Sequence, residues 1–144
     1  MADKIWIVAA DSSRARIFET TTSRTPLQEL ETLTHPESRL HEGDLSDDGP
    51  GMVHESHGEG RHLTDNYRKQ YEAEVFAREI CERLEQGRVG NAFNKLYLLA
   101  PPAFLGQLRD CMGNATRKLI AEEIDKNVVL AKPDEIRKHL PYAL

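Results

Sequence analysis

The stretch His57–Gln70, "HGEGRHLTDNYRKQ", gathers residue types suited to holding an anion. Gly58 and Gly60 bracket Glu59, and the basic pair Arg61 and His62 follows. Thr64 and Asp65 then offer side-chain oxygens of the kind that accept free N–H groups where a helix begins. Glycines let a backbone approach a ligand closely. A helix N-terminus adds unpaired N–H groups and the positive end of the helix dipole, and the two together favour a phosphate. Gly58, Gly60, Arg61, His62, Arg68 and Lys69 therefore form a candidate phosphate- or RNA-binding set. On this reading Gly58–His62 form an exposed loop before a helix that starts at Thr64 or Asp65, and Arg68 and Lys69 gather near that start. The competing reading is a solvated polar loop with ordinary surface charges, and Glu59, Asp65 and a net charge of −5 favour it.

Other residues invite metal or nucleophile chemistry and fall short of it. His54 and His57 are three apart, with His62, Asp44, Asp47 and Asp48 close in sequence. Imidazole and carboxylate suit zinc, nickel or manganese. No cysteine joins them, and spacing within a loop defines no coordination geometry, so neither a metal nor a cofactor is expected. A two-metal nuclease needs several converging carboxylates. Asp11 and Glu72 or Glu74 could supply some, but the apolar run "KLYLLAPP" brings no acid. Asp11 with Ser12 and Ser13 reads instead as a tight turn, and Arg16 as a surface charge or the partner of a nearby acid. The two serines lack the strand–turn–helix context of a nucleophile elbow. Cys81 and Cys111 fall outside any CxxC or histidine-rich spacing and read as small apolar packing groups.

The elements that must position these groups follow from hydrophobic patterning. A chain of 144 residues with 39% hydrophobic and 30% charged residues is one domain with a real core and a charged surface. No apolar run approaches a transmembrane length or the pattern of a signal peptide, so no membrane partner and a cytoplasmic location are expected. "KIWIVAAD" predicts a strand buried on both faces. "RARIFETT" alternates. "LQELETL" alternates too, with Leu27, Glu29, Glu31 and Leu33 on one face, and it predicts a third strand near an edge.

Residues 34–63 hold five of the six histidines and only Leu40, Leu45, Met52, Val53 and Leu63 as apolar groups. That predicts a long mobile loop, the first place to look for activity. Beyond it, Ala73, Phe76, Ala77, Ile80 and Leu84 recur at helical spacing, with Tyr67 and Tyr71 near one edge of the stripe and Gly87 and Gly90 ending the helix. "KLYLLA" predicts a strand and "PAFLGQLRDCM" a helix, in which Gly106 allows close approach to the sheet. "RKLIAEEI" predicts a strand and "KPDEIRKHL" a short helix. The expected fold is a single α/β domain over residues 1–144, in the order β-β-β-loop-α-β-α-β-α. Its five-stranded mixed sheet includes one right-handed parallel crossover.

The ordered set "WIVAADSSRARIFE", "DLSDDGPG", "GEGRH", "EAEVFAREICERL", "LYLLAPPAFLGQLR" and "EIDKN…KPDEIRKHL" resembles the bacterial host-attachment protein family over nearly the whole chain. That family is similar to the middle domain of archaeo-eukaryotic release factors and of Pelota. The resemblance implies an RNase H-like fold and a loop placed as the Gly-Gly-Gln loop of those factors is. Here Glu59 interrupts the glycines and Arg61 stands where the water-positioning glutamine belongs, which weighs against a hydrolase. The expected function is a non-catalytic contact with tRNA or the ribosome. The alternative is a protein-interaction or regulatory role connected with attachment to host cells, without RNA.

Overall fold

The computed structural model describes residues 3–22, 24–36 and 58–144, with side chains from residue 67 onward in the last segment. Three strands open the chain: β1 (Ile5–Ala10), β2 (Arg14–Thr20) and β3 (Gln28–Thr34). Helix α1 (Gly58–Val89) follows, then β4 (Lys95–Ala100), α2 (Pro102–Cys111), the short α3 (Asn114–Arg117), β5 (Ile120–Asp125) and α4 (Pro133–Lys138). The sheet order is β3-β2-β1-β4-β5. β1 pairs antiparallel with β2 and parallel with β4, and β4 pairs parallel with β5. The predicted five-stranded mixed sheet and its edge strand β3 are present, and α3 is the one described helix that patterning missed.

β1 is buried along its whole length because each of its faces meets a separate apolar layer. Trp6, Val8 and Ala10 join Phe76, Ile80, Leu84, Phe104 and Leu108, the inward stripes of α1 and α2. Ile5, Ile7 and Ala9 face the other way, with Phe18, Tyr97, Leu99, Ile136 and Leu140 under α4. Burying a Leu, Ile or Phe fully is worth about 1.5–3 kcal/mol, so these two layers drive folding.

Four expectations are corrected. A register shift opposite Ile17/Phe18 breaks the alternation of β3, pairing Ile17 with Glu31 but Phe18 with Glu29. One extra residue flips the side-chain parity. Leu27 and Leu33, expected on one face, accordingly pack into opposite layers. Gly87 does not end α1 but lies inside it. A Cβ there would come within 2.7 Å of the Trp6 ring, so the glycine lets helix and sheet approach, and Asn91 takes the left-handed turn at φ 60°. Gly106, expected to allow such an approach, has open space around its missing Cβ. The fourth correction concerns the long loop. β3 reaches Thr34, His35 is buried, and α1 already begins at Gly58. Residues 58–63 are thus helical, whereas His54 and His57 lie outside the described residues.

Candidate functional site

The helical start at Gly58 changes the geometry of the predicted anion site. Gly58, Gly60 and Arg61 occupy the first turn, where backbone N–H groups have no intrahelical acceptor, and His62 follows directly. They are the helix tip itself and not a loop before it. Arg68 and Lys69 are not at the tip, because ten residues of helix at about 1.5 Å each place Arg68 roughly 15 Å along the axis from Gly58. Arg61 and Arg68, seven residues apart, lie almost in line along one side of the helix.

Burial describes the outer part of α1 further. Every residue from Tyr67 to Tyr71 is exposed, which is more than a full turn, and burial begins only at Ala73. The helix therefore stands clear of the sheet at this point. Tyr67 is 74% and Tyr71 53% exposed, although both were expected beside the apolar stripe. At 100° per residue their positions fall on the side away from Ala73, Phe76 and Ile80, a signal that a helical wheel carries. Tyr67, Gln70, Tyr71 and Glu74 line a shallow cleft of about 100 Å³. Arg68 and Lys69 sit between the two tyrosines in sequence and are equally exposed.

His35, at the end of β3, holds the base of this segment. Its Nε2 lies 2.7 Å from a Glu72 carboxylate oxygen and its Nδ1 3.6 Å from Glu79. The ring stacks on Phe76 at 5.5 Å, and the backbone N–H bonds the Ser13 carbonyl at 2.9 Å. One buried histidine thus joins β3, the β1–β2 turn and α1. Sequence reasoning placed it in a mobile loop.

A second concavity, about 380 Å³, lies beyond the carboxyl ends of β1 and β4 and includes Asp11, Ser12, Ser13, Phe104, Gln107 and Asn127. Open α/β sheets commonly bind ligands at this end. Asp11 is committed elsewhere: its Oδ1 accepts bonds from the Ser13 N–H at 2.9 Å, the Ser13 hydroxyl at 3.2 Å and the Arg14 N–H at 2.8 Å. The expected turn is formed, and no cation lines this cleft among the described residues. Arg16 is a structural tie. It pairs with Glu29 at 3.0 Å and donates to the carbonyls of Val129 at 2.8 Å and Ala131 at 2.6 Å. Glu72 is engaged by His35 and Asp11 by its turn, while Glu74 lines the cleft beside Tyr67 and Tyr71. Among the described residues, no three His, Cys, Asp or Glu side chains gather as a metal site.

Residues 6–140 match the family described as "Protein required for attachment to host cells". The chain belongs to that family. No curated protein matches this host-attachment family member. Among its described residues, no helix is long and apolar enough to cross a membrane.

Proposed function

We propose that this host-attachment family member is a non-catalytic binding module that takes single-stranded RNA, as in tRNA or the ribosome, along the outer part of α1. The observation that carries the reading is the exposure of Tyr67 and Tyr71 around Arg68 and Lys69, over more than a full turn of helix. Proteins that hold single strands combine cations for the phosphates with aromatic rings on which bases stack. Arg61, Arg68 and Lys69 supply the cations, the Gly58–Arg61 amides and His62 a further phosphate contact at the tip, and the tyrosines the platform. The release-factor likeness in the sequence supports the same direction. The absent glutamine and the structural engagement of Asp11 and Glu72 support binding without hydrolysis.

The test is capture of ribosomal components and tRNA from lysate at low salt, with and without nuclease, beside titration of a labelled single-stranded oligonucleotide. Nuclease should abolish the capture. Tyr67→Ala should weaken oligonucleotide binding by about 5- to 150-fold, since one stacked base is worth roughly 1–3 kcal/mol. No binding at low salt, or binding unchanged in Arg61→Ala and Tyr67→Ala, would refute the reading. Capture of proteins that survives nuclease would favour instead the interaction role suggested by the family description.

A further inference from the structure

Cys81, on α1, and Cys111, the last residue of α2, bring their sulfurs to 2.7 Å although thirty residues separate them. That is about 0.7 Å beyond a bonded pair at ~2.05 Å. Both thiols also lie against one carbonyl, that of Leu108, at 3.4 and 3.5 Å. Their surroundings differ. Cys81 is buried in the main apolar layer, 7% exposed. Cys111 is half-buried and lines a cleft of about 320 Å³ with Glu74, Arg78, Gln107 and Asp110. A reagent in solution therefore reaches Cys111 first. A metal is the weaker explanation, since no third ligand joins the two sulfurs among the described residues.

We propose that Cys111 and Cys81 form a redox pair, in which Cys111 reacts with a hydroperoxide through the cleft and Cys81 resolves it to an intramolecular disulfide joining α1 to α2. The proton distribution agrees. The hydrogen-bonded contact with Cys81 and, with a smaller effect, Arg78 hold the Cys111 thiol below its ordinary value. The same bond, and then burial, push the Cys81 thiol up. Cys111 is thus the readier of the two to lose its proton and react as the thiolate, and Cys81 the readier to keep its own. In the first step the Cys111 sulfur attacks one peroxide oxygen. An S–O bond forms, the O–O bond breaks, and the leaving alkoxide or hydroxide takes a proton from water. Cys111 is now a sulfenic acid. In the second step the Cys81 sulfur attacks that of Cys111. The S–S bond forms and the S–O bond breaks, and hydroxide leaves as water with the Cys81 proton. The two thiols together lose two electrons, and the peroxide gains them. A dithiol reductant reverses the oxidation by exchange.

The full chain is treated with hydrogen peroxide, then denatured and alkylated. Alkylatable thiols should fall from two to none, with a cross-linked Cys81–Cys111 peptide, a chain that stays monomeric without reductant, and recovery of both thiols with dithiothreitol. In Cys81→Ser, dimedone should label Cys111 during peroxide treatment. In Cys111→Ser, Cys81 should stay unlabelled while the chain is folded. Two thiols persisting in the wild-type chain, or cross-linking only between chains, would overturn the pair. Labelling of Cys81 but not Cys111 in the two variants would overturn the assigned order.

Discussion

Two glycines in helices carry opposite consequences for packing. Gly87 sits where a methyl group would meet the Trp6 ring at 2.7 and 2.8 Å and Phe93 at 3.1 Å. Both rings are buried and stacked on each other at 4.7 Å, so neither has room to retreat. Ala gains up to about 1 kcal/mol of helix propensity over Gly. Forcing a methyl into a filled core costs typically 1–3 kcal/mol, and here the rigid aromatic contact dominates. Gly87→Ala should lower stability by about 1–2 kcal/mol in urea unfolding. Gly106, midway along α2, faces open space, so only the propensity acts there. Gly106→Ala should raise stability by about 1 kcal/mol in the same experiment. Patterning alone puts Gly106 inside a helix and Gly87 at a helix end, which misses the packing at both. The placement of the Trp6 ring against α1 distinguishes them.

How far the elements were legible depends on whether a local pattern encodes them. β1 and β4 announce themselves as apolar runs because apolar layers cover both faces of each. The start of α1 does not. Its apolar stripe begins at Ala73, Thr64 and Asp65 offer a helix start of their own, and the glycines and charges before them read as a loop. The register shift beside Ile17 and Phe18 was equally hidden, since alternation along β3 says nothing of an extra residue against β2. Nor could the meeting of Cys81 with Cys111 be read without knowing how α2 lies on α1. The far end of α1 shows an element contact with a measurable pH signature. The Glu85 carboxylate accepts bonds from Arg88 and from the buried Thr116 hydroxyl of α3, the latter at 2.7 Å. These two bonds, Arg88 first, hold its pKa at about 2, below its ordinary value of 4.5. A carboxyl depressed on folding contributes stability that is present above about pH 4.5 and is lost as pH falls toward 2. Glu85→Gln should therefore unfold at lower urea than wild type at pH 7. The difference should shrink over that window, because the wild-type group is then protonated too. Parallel pH–stability curves would disprove the contribution.

At the scale of the whole molecule, the binding proposal must overcome an unfavourable net charge. A chain at −5 repels polyanions at long range, so association relies on the local cations and is not steered by a global field. The exposure along α1 makes those cations available: Arg68 and Lys69 are exposed, whereas Arg109 and Arg16 of the body are paired with Glu123 and Glu29. Counterion release then sets the salt dependence. Three phosphate contacts through Arg61, Arg68 and Lys69 give a slope of log affinity against log salt of about −2 for a single strand. Affinity for an oligonucleotide should accordingly fall roughly 20-fold between 50 and 200 mM salt. Arg61→Ala should reduce that fall to roughly 7-fold while weakening binding at every sequence alike, since a phosphate contact carries no base information. A slope near zero would mean that the tyrosines bind without the cations. A steep slope unchanged by Arg61→Ala would move the phosphate contacts away from the tip of α1. Titrations of wild type and variant across this salt range separate these outcomes, because the slope counts contacts whereas the affinity at one salt concentration does not.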